Sequence, residues 1–465
     1  MKLFKKPIFV SISPNAQADD VWLALKLIFC PWRWKEGKCV GKFEKMLEDY
    51  LDDNVKIPPS PPLQKGGGGD LDFKKGKGVV LFESGRTALY AILQALGVSR
   101  GDEVLVQAFT CTAAVNPILW VGAKPVYVDV IDGEYNMSPD DLQKKITPQC
   151  RAIIMQYTFG FPAQIDKILG IAKQNNLFVI EDCAHSLGAE YNNQKLGTFG
   201  DAAIFSFGRS KVISAVFGGA AFSKNPELAR KIREIQQKWQ YPSCRWILQQ
   251  LFHPIYLAIA KPLYNFLNIG KIMIILGKKL GLISVMVYSV EKSGGKPPFG
   301  PAKMPNALAC LGINQAKKLE KFNEHRREVV GVYKQKLISL LERGDVKIPP
   351  NPPLQKGGGK SDNLQKEGGS IFLNFPIQVK NFGIRWKLIG EAKKRGIFLE
   401  SWPAKDKKVV GPDNVNLEKL YYQESSCPNA ERAAQTSINL PTSPNTSVRD
   451  AERVIGFLKE YFINK

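Results

Sequence analysis

The sequence predicts an α/β protein with a mainly parallel central sheet, helices on both of its faces, and a smaller C-terminal α+β domain. Three observations predict this. Strand and helix patterns alternate from about residue 79 to 182, the order that builds a parallel sheet through crossover helices. Helices and strands resume after about 306, beyond a long apolar interruption. The chain has 465 residues, of which 44% are hydrophobic, enough for two domains and a large core.

The elements follow in order. "GRTALYAILQALGV" (85–98) is helical, with Ala88, Leu89, Ile92, Leu93 and Leu96 on one side. "EVLVQA" (103–108) reads as a strand, "TAAVNPILWVGA" (112–123) as a helix and "KPVYVDV" (124–130) as a strand. "SPDDLQKKI" (138–146) opens a helix, with Ser138 as N-cap, Pro139 in the first turn and acids near the positive end. "RAIIMQY" (151–157), "QIDKILGIAKQNN" (164–176) and "LFVIED" (177–182) continue as strand, helix and strand. A further strand ends at Ser206-Phe207, and Gly218-Gly219 precede another apolar run. In the C-terminal part, 307–337 reads as one long helical stretch, 370–379 as a strand, 387–397 as a helix and 447–462 as a closing helix.

Four regions result. Residues 1–78 form an N-terminal segment, 79–240 a large cofactor-binding domain, 241–300 an insert and 301–465 a small domain. Two matching Pro- and Gly-rich cassettes, "KIPPSPPLQKGGGG" (56–69) and "KIPPNPPLQKGGG" (347–359, within a low-complexity stretch to 369), read as surface insertions that pack no core. The insert carries "WILQQLFHPIYLAIA" and "LGLISVMVYSV", with Lys261, Lys271, Lys278 and Lys279 between them, and Glu291 is nearly its only acid. Its apolar runs fall short of the roughly 18 residues of a spanning helix. Two readings follow: a helical insert packed on the body or on a second subunit, or an interfacial hairpin on an anionic membrane.

The net charge of +22 calls for an anionic partner. No nucleic-acid signature accompanies it, which leaves lipid or phosphorylated small molecules. Eight scattered cysteines without a CxxC pair argue against a zinc finger or a disulfide scaffold and fit a reducing cytoplasm. The N-terminus lacks a cleavage site, so no signal peptide is expected.

The chemistry concentrates at strand ends. "FESGRTAL" (82–89) passes from strand to helix through Ser84-Gly85. The open N–H groups of such a helix start suit a phosphate. "VIEDCAHSLGA" (179–189) ends a strand with Asp182, Cys183 and His185 close together. That cluster fits a metal, a nucleophile with its base, or a cofactor carboxylate. Only three histidines exist in the chain, which leaves a metal short of ligands. "DAAIFSFGRSK" (201–211) then places Lys211 in a small, apolar setting, where desolvation favours a free amine. Pyridoxal phosphate (PLP) needs these three things: a phosphate turn, a carboxylate at its ring nitrogen and a lysine at its aldehyde.

At these residues the chain resembles the DegT/StrS family of PLP-dependent sugar aminotransferases. "ALGVSRGDEVLV", "GAKPVYVDV", "VIEDCAHSLGAEY", "GTFGDAAIFSFGRSK", "GGAAF", "FNEHRREVVGVY" and "SINLPTSPNTSVRDAERVI" all follow the family pattern. The resemblance implies the PLP-dependent transferase fold, type I, and a homodimer. It assigns Lys211 as the lysine that holds PLP and moves the proton, Asp182 as partner of the ring nitrogen, and His185 as neighbour of the phenolic oxygen. Gly85, Arg86 and Ser206 are the expected phosphate holders. The implied reaction converts a nucleotide- or lipid-linked keto-sugar to an amino-sugar with a donor such as glutamate. A family dehydratase is disfavoured because such enzymes replace the lysine. A non-catalytic, membrane-associated or regulatory member is the other alternative. Two departures motivate it. The aromatic that stacks on the cofactor aligns with Cys111, with Phe109 two residues early. The family's Asn-Tyr-Arg-Met segment, which reaches the partner subunit's site, appears as "PAKM" (301–304), with Lys303 in place of arginine and Pro301 in place of asparagine.

Overall fold

The computed structural model describes residues 7–52, 78–348, 369–406 and 408–463. The first cassette and nearly all of the second lie outside the described residues. Among the described residues, eleven strands precede the insert: β1 (Ile8–Phe9), β2 (Gly78–Phe82), β3 (Glu103–Gln107), β4 (Thr110–Cys111), β5 (Lys124–Val128), β6 (Cys150–Gln156), β7 (Phe178–Asp182), β8 (Glu190–Tyr191), β9 (Gln194–Lys195), β10 (Ala202–Ser206) and β11 (Gly219–Ser223). The helices interleave with them as α1 (Ala18–Ile28), α2 (Cys39–Leu51), α3 (Gly85–Ala95), α4 (Thr112–Trp120), α5 (Pro139–Lys145), α6 (Ile165–Gln174) and α7 (Pro226–Gln237). The insert supplies α8 (Cys244–Ala260) and α9 (Ile269–Lys279), and the small domain opens with α10 (Asn306–Ala316) and α11 (Leu319–Lys336).

Seven strands form the central sheet in the order β2-β11-β10-β7-β6-β3-β5. All pairings are parallel except the two made by β11. The expected mainly parallel sheet is therefore present, with one reversed strand. Strand residues alternate between two cores, as the period of two requires. Val80, Phe82, Val104, Ile154 and Ile180 face α3, α4 and the small domain. Val79, Leu81, Leu105, Ile153 and Val179 face α2, α6 and α10. Ser138 caps α5 as its sequence predicts, its side chain accepting from Asp141 N.

The sheet register collects the functional edge. Asp182 lies beside Gln156 and Ile204, Ser206 beside Gly219, and Gly219 beside Phe82. Because β11 is reversed, its first residue reaches the same rim as the last residues of β2, β7 and β10. Ligands of open α/β sheets bind outside these carboxyl ends.

The small domain holds a three-stranded antiparallel sheet of Val346–Lys347, Phe375–Val379 and Ser437–Leu440. Two strand pairings stitch it to the rest: Ile8–Phe9 beside Ile397–Phe398, and Thr110–Cys111 beside Val410–Gly411.

Three expectations are corrected here. The stretch 307–337 is two helices, not one. It breaks at Lys317-Lys318, where Lys318 turns to the α1 carboxylates of Asp19 and Asp20 at 2.7 and 3.2 Å. The strand in 370–379 begins only at Phe375. The preceding residues are held in an irregular course, with Leu373 N donating to Phe159 O and Thr442 Oγ1 to Phe372 O. Finally, Cys39 and Cys310 are joined in a disulfide between α2 and α10. Their 271-residue separation hides the pairing from any local spacing pattern.

Candidate active site

A cavity of about 410 Å³ opens over the rim. Ser84, Gly85, His185, Ser206 and Lys211 line it from the large domain, Trp402 and Lys405 from the small domain, and Met286 from the insert. A narrow recess of about 50 Å³ continues downward and brings Asp182 together with Cys111, His185, Ser206 and Lys211. The six residues expected to serve the cofactor therefore border one space.

Glu181 and Asp182 are adjacent, and the strand sends them to opposite faces. Glu181 is fully buried and saturated: Tyr157 Oη donates to it at 2.5 Å, and the N–H groups of Gly197, Phe199 and Gly200 each at 2.7 Å. It organises the loop before β10. Asp182 faces the recess and is 7% exposed. Its Oδ1 accepts from Ala184 N at 3.0 Å, and Oδ2 has no hydrogen-bond donor among the described residues. Burial raises its pKa, opposed by the Ala184 N–H and by Lys211.

Lys211 follows the loop after β10. It is half-buried by surface area and lines both the cavity and the recess. Burial lowers its pKa, with Cys111 and Asp182 opposing. The backbone around it is pinned. Asn15 Nδ2 donates to Lys211 O at 2.5 Å and Val212 O at 2.9 Å. The fully buried Arg326 donates to Val212 O at 2.8 Å and to Asn15 Oδ1 at 3.1 Å. Burial holds that guanidinium down to about 9. Neither Asn15 nor Arg326 was singled out by sequence, although Arg326 lies inside "FNEHRREVVGVY".

His185 is buried, and its Nδ1 accepts from Phe159 N at 3.3 Å. That bond leaves the proton on Nε2. Burial, and then Lys211, push its pKa well below the usual histidine value, so the ring is neutral. Phe159 stacks near it at 6.2 Å and Trp402 meets it edge-on at 5.1 Å. Phe109 is fully buried against Tyr135, Phe159 and Trp402, so it is core and does not reach the cavity. Cys111 does line it, as does Trp402. Trp402 comes from the far end of the chain, and no local pattern marked it.

The turn from β2 into α3 is tight for a reason. A Cβ on Gly219 would fall 2.3 Å from Gly85 N, and one on Gly85 would fall 3.1 Å from Ser206 Cβ. Ser84 caps α3 by accepting from Thr87 N. The N–H groups of Gly85 and Arg86 have no acceptor among the described residues, as expected in a first helical turn. The Arg86 guanidinium, expected as a cationic phosphate contact, is placed elsewhere: 2.7 Å from the buried Glu291 carboxylate and 3.3 Å from Met286 O. Arg209 behaves similarly, donating to Ser284 O at 2.6 Å and Gln250 Oε1 at 3.1 Å. Two buried arginines thus clamp the insert onto the phosphate turn and the lysine loop. Behind the turn, Glu83 accepts from Ala302 N at 3.1 Å and from Thr87 Oγ1. "PAKM" therefore pairs with this chain's own β2 end through a Phe82–Lys303 bridge, with Lys303 Nζ over the Tyr241 ring at 5.7 Å.

These residues fit PLP: a desolvated amine, a carboxylate with an open oxygen, and a helix start with free N–H groups meet in one cavity. The sequence matches the model of the DegT/DnrJ/EryC1/StrS aminotransferase family over residues 71–241 and 299–459. The chain belongs to that family. It is accordingly a PLP-dependent aminotransferase. The family match leaves out 242–298, which is nearly the whole insert. Among relatives, GDP-perosamine synthase of Escherichia coli O157:H7 is 30% identical over 82% of this chain and 85% of its own length. The UDP-N-acetyl-3-dehydro-alpha-D-glucosamine 3-aminotransferase of Acidithiobacillus ferrooxidans is 42% identical, over 34% of this chain and 43% of its own. NtdA of Bacillus subtilis, solved with bound cofactor PMP, shares the fold with a TM-score of 0.69 and 21% identity, covering 98% of this chain and 85% of that one.

Proposed function

We propose that this family member transfers an amino group from an amino acid such as glutamate to a keto-sugar carried on a nucleotide, and that it does so as a homodimer. The carrying observation is the convergence of Lys211, Asp182 and the open α3 start on one cavity. The named relatives act on nucleotide sugars, and a basic chain suits a diphosphate.

Bound PLP supplies an electron sink for the bond broken at the donor carbon. Lys211 would hold the cofactor through its amine and carry the proton at the donor's α-carbon, a role favoured by burial, which lowers its pKa. Asp182 would keep the ring nitrogen protonated. His185, neutral with its proton on Nε2, would donate a hydrogen bond at the phenolic oxygen. Gly85, Arg86 and Ser206 would hold the phosphate, the first two through backbone N–H groups. Asn15 and Arg326 fix the lysine loop. Asn439, whose buried Oδ1 has no partner among the described residues, lines the cavity and would be available to the substrate.

The test is turnover of purified protein, loaded with PLP, against a panel of nucleotide-linked keto-sugars with glutamate as donor. Appearance of the amine product by mass spectrometry is the expected result. Protein that holds PLP but aminates no keto-sugar from any amino acid donor would refute the reading.

A further inference from the structure

We propose that the outward face of α9, with the turns flanking it, docks on an anionic lipid bilayer. A helix on a water-soluble body buries its large apolar residues and exposes its polar ones. Helix α9 exposes large apolar residues as well as Lys278 and Lys279 and buries only Gly270 and Gly277. It packs on α8 through glycines: a Cβ on Gly270 would fall 1.9 Å from Ala260 O, and one on Gly277 2.9 Å from the Tyr256 ring. Tyr256 Oη locks the pair by donating to Met273 O at 2.6 Å. The larger apolar side chains then point outward, with Leu267 66%, Ile272 52%, Ile275 59% and Leu280 66% exposed. Spacings of three and four residues put Ile272, Ile275 and Leu276, itself 47% exposed, on a common outer side.

Charge selects the occupant. From 241 to 290 the chain has no Asp or Glu, but it has Arg245, Lys261, Lys271, Lys278 and Lys279. A two-fold contact would bring this patch against itself and set lysine against lysine with no carboxylate between them. An anionic bilayer answers both features, taking the apolar side chains into its interfacial layer and the lysines at its phosphates. Beyond the face, Met286 of the same insert is 46% exposed and forms part of the cavity wall. This surface is independent of the sugar assigned above.

The experiment is flotation of the full-length protein with phosphatidylcholine vesicles and with vesicles containing phosphatidylglycerol. Wild type is expected to float with the anionic vesicles at least about tenfold more than with the neutral ones, and less as salt rises. The combined Ile272→Glu, Ile275→Glu and Leu280→Glu variant should fall to background, and the combined Lys271→Gln, Lys278→Gln and Lys279→Gln variant should lose the anionic preference. Absorbance of the lysine-bound cofactor, unchanged in both variants, separates loss of docking from loss of fold. If the glutamate variant loses it, the glutamine variant carries the test alone. Wild type that stays with the pellet, variants that float like wild type, or a wild-type dimer that the glutamate variant splits while neither floats, would overturn the proposal.

Discussion

The cofactor rim and the outer face of α9 invert each other's chemistry. At the rim, ionisable groups sit away from water: Asp182 and His185 are buried and Lys211 is shifted by burial. On α9, isoleucine and leucine sit in water. Each placement costs free energy when the region stands alone. The difference teaches where function lies, since a fold tolerates such placements where a ligand or a surface completes them. The rim is completed by PLP. The α9 face is completed, on our proposal, by lipid.

The comparison also explains what the sequence disclosed. The rim was legible because its chemistry needs particular residue types at strand ends, and Asp182 and Lys211 lie only 29 residues apart. The long-range contacts that support the rim were not. Arg86 and Glu291 are 205 residues apart, and Asn15 and Arg326 are 311 apart, so only folding brings them together. The fold itself was readable from strand and helix periodicity across the sheet. The break at Lys317-Lys318 and the late start at Phe375 depend on tertiary partners that no local pattern carries.

Four changes would break or sharpen this contrast, the largest first. Lys211→Ala removes the rim's covalent anchor and proton carrier. Turnover should fall about 10⁴-fold, the upper end of a positioned proton-transfer group's contribution, and the unchanged flotation of the variant would keep the two regions separate. Next, Glu291→Ala leaves Arg86 buried beside an empty place. A loss of about 3–5 kcal/mol in denaturant unfolding is expected for a broken buried pair, together with loosening of the insert toward proteolysis. Stability within about 1 kcal/mol of wild type would mean the clamp is not structural.

The third concerns pH. Burial raises the Glu83 carboxyl from the ordinary 4.5 to about 7. Between those values the folded protein keeps a proton that the unfolded chain releases. Stability therefore falls as pH rises through that window, by up to about 3 kcal/mol. Glu83→Gln should flatten this slope in urea titrations run across the window; an unchanged slope would place the carboxyl's ionisation elsewhere. The smallest effect belongs to the α9 face. Ile275→Ser should change stability by less than about 0.5 kcal/mol, as an exposed substitution does. A loss of several times that would show the face to be covered by protein.

The central claim is that one lysine at this rim holds the cofactor. Borohydride treatment of the PLP-loaded protein fixes the cofactor to whichever lysine carries it, and peptide mass mapping then reads the position. The account predicts the cofactor mass on the peptide containing Lys211 and on no other. The same mass on a different lysine, or on none after full loading, would contradict it.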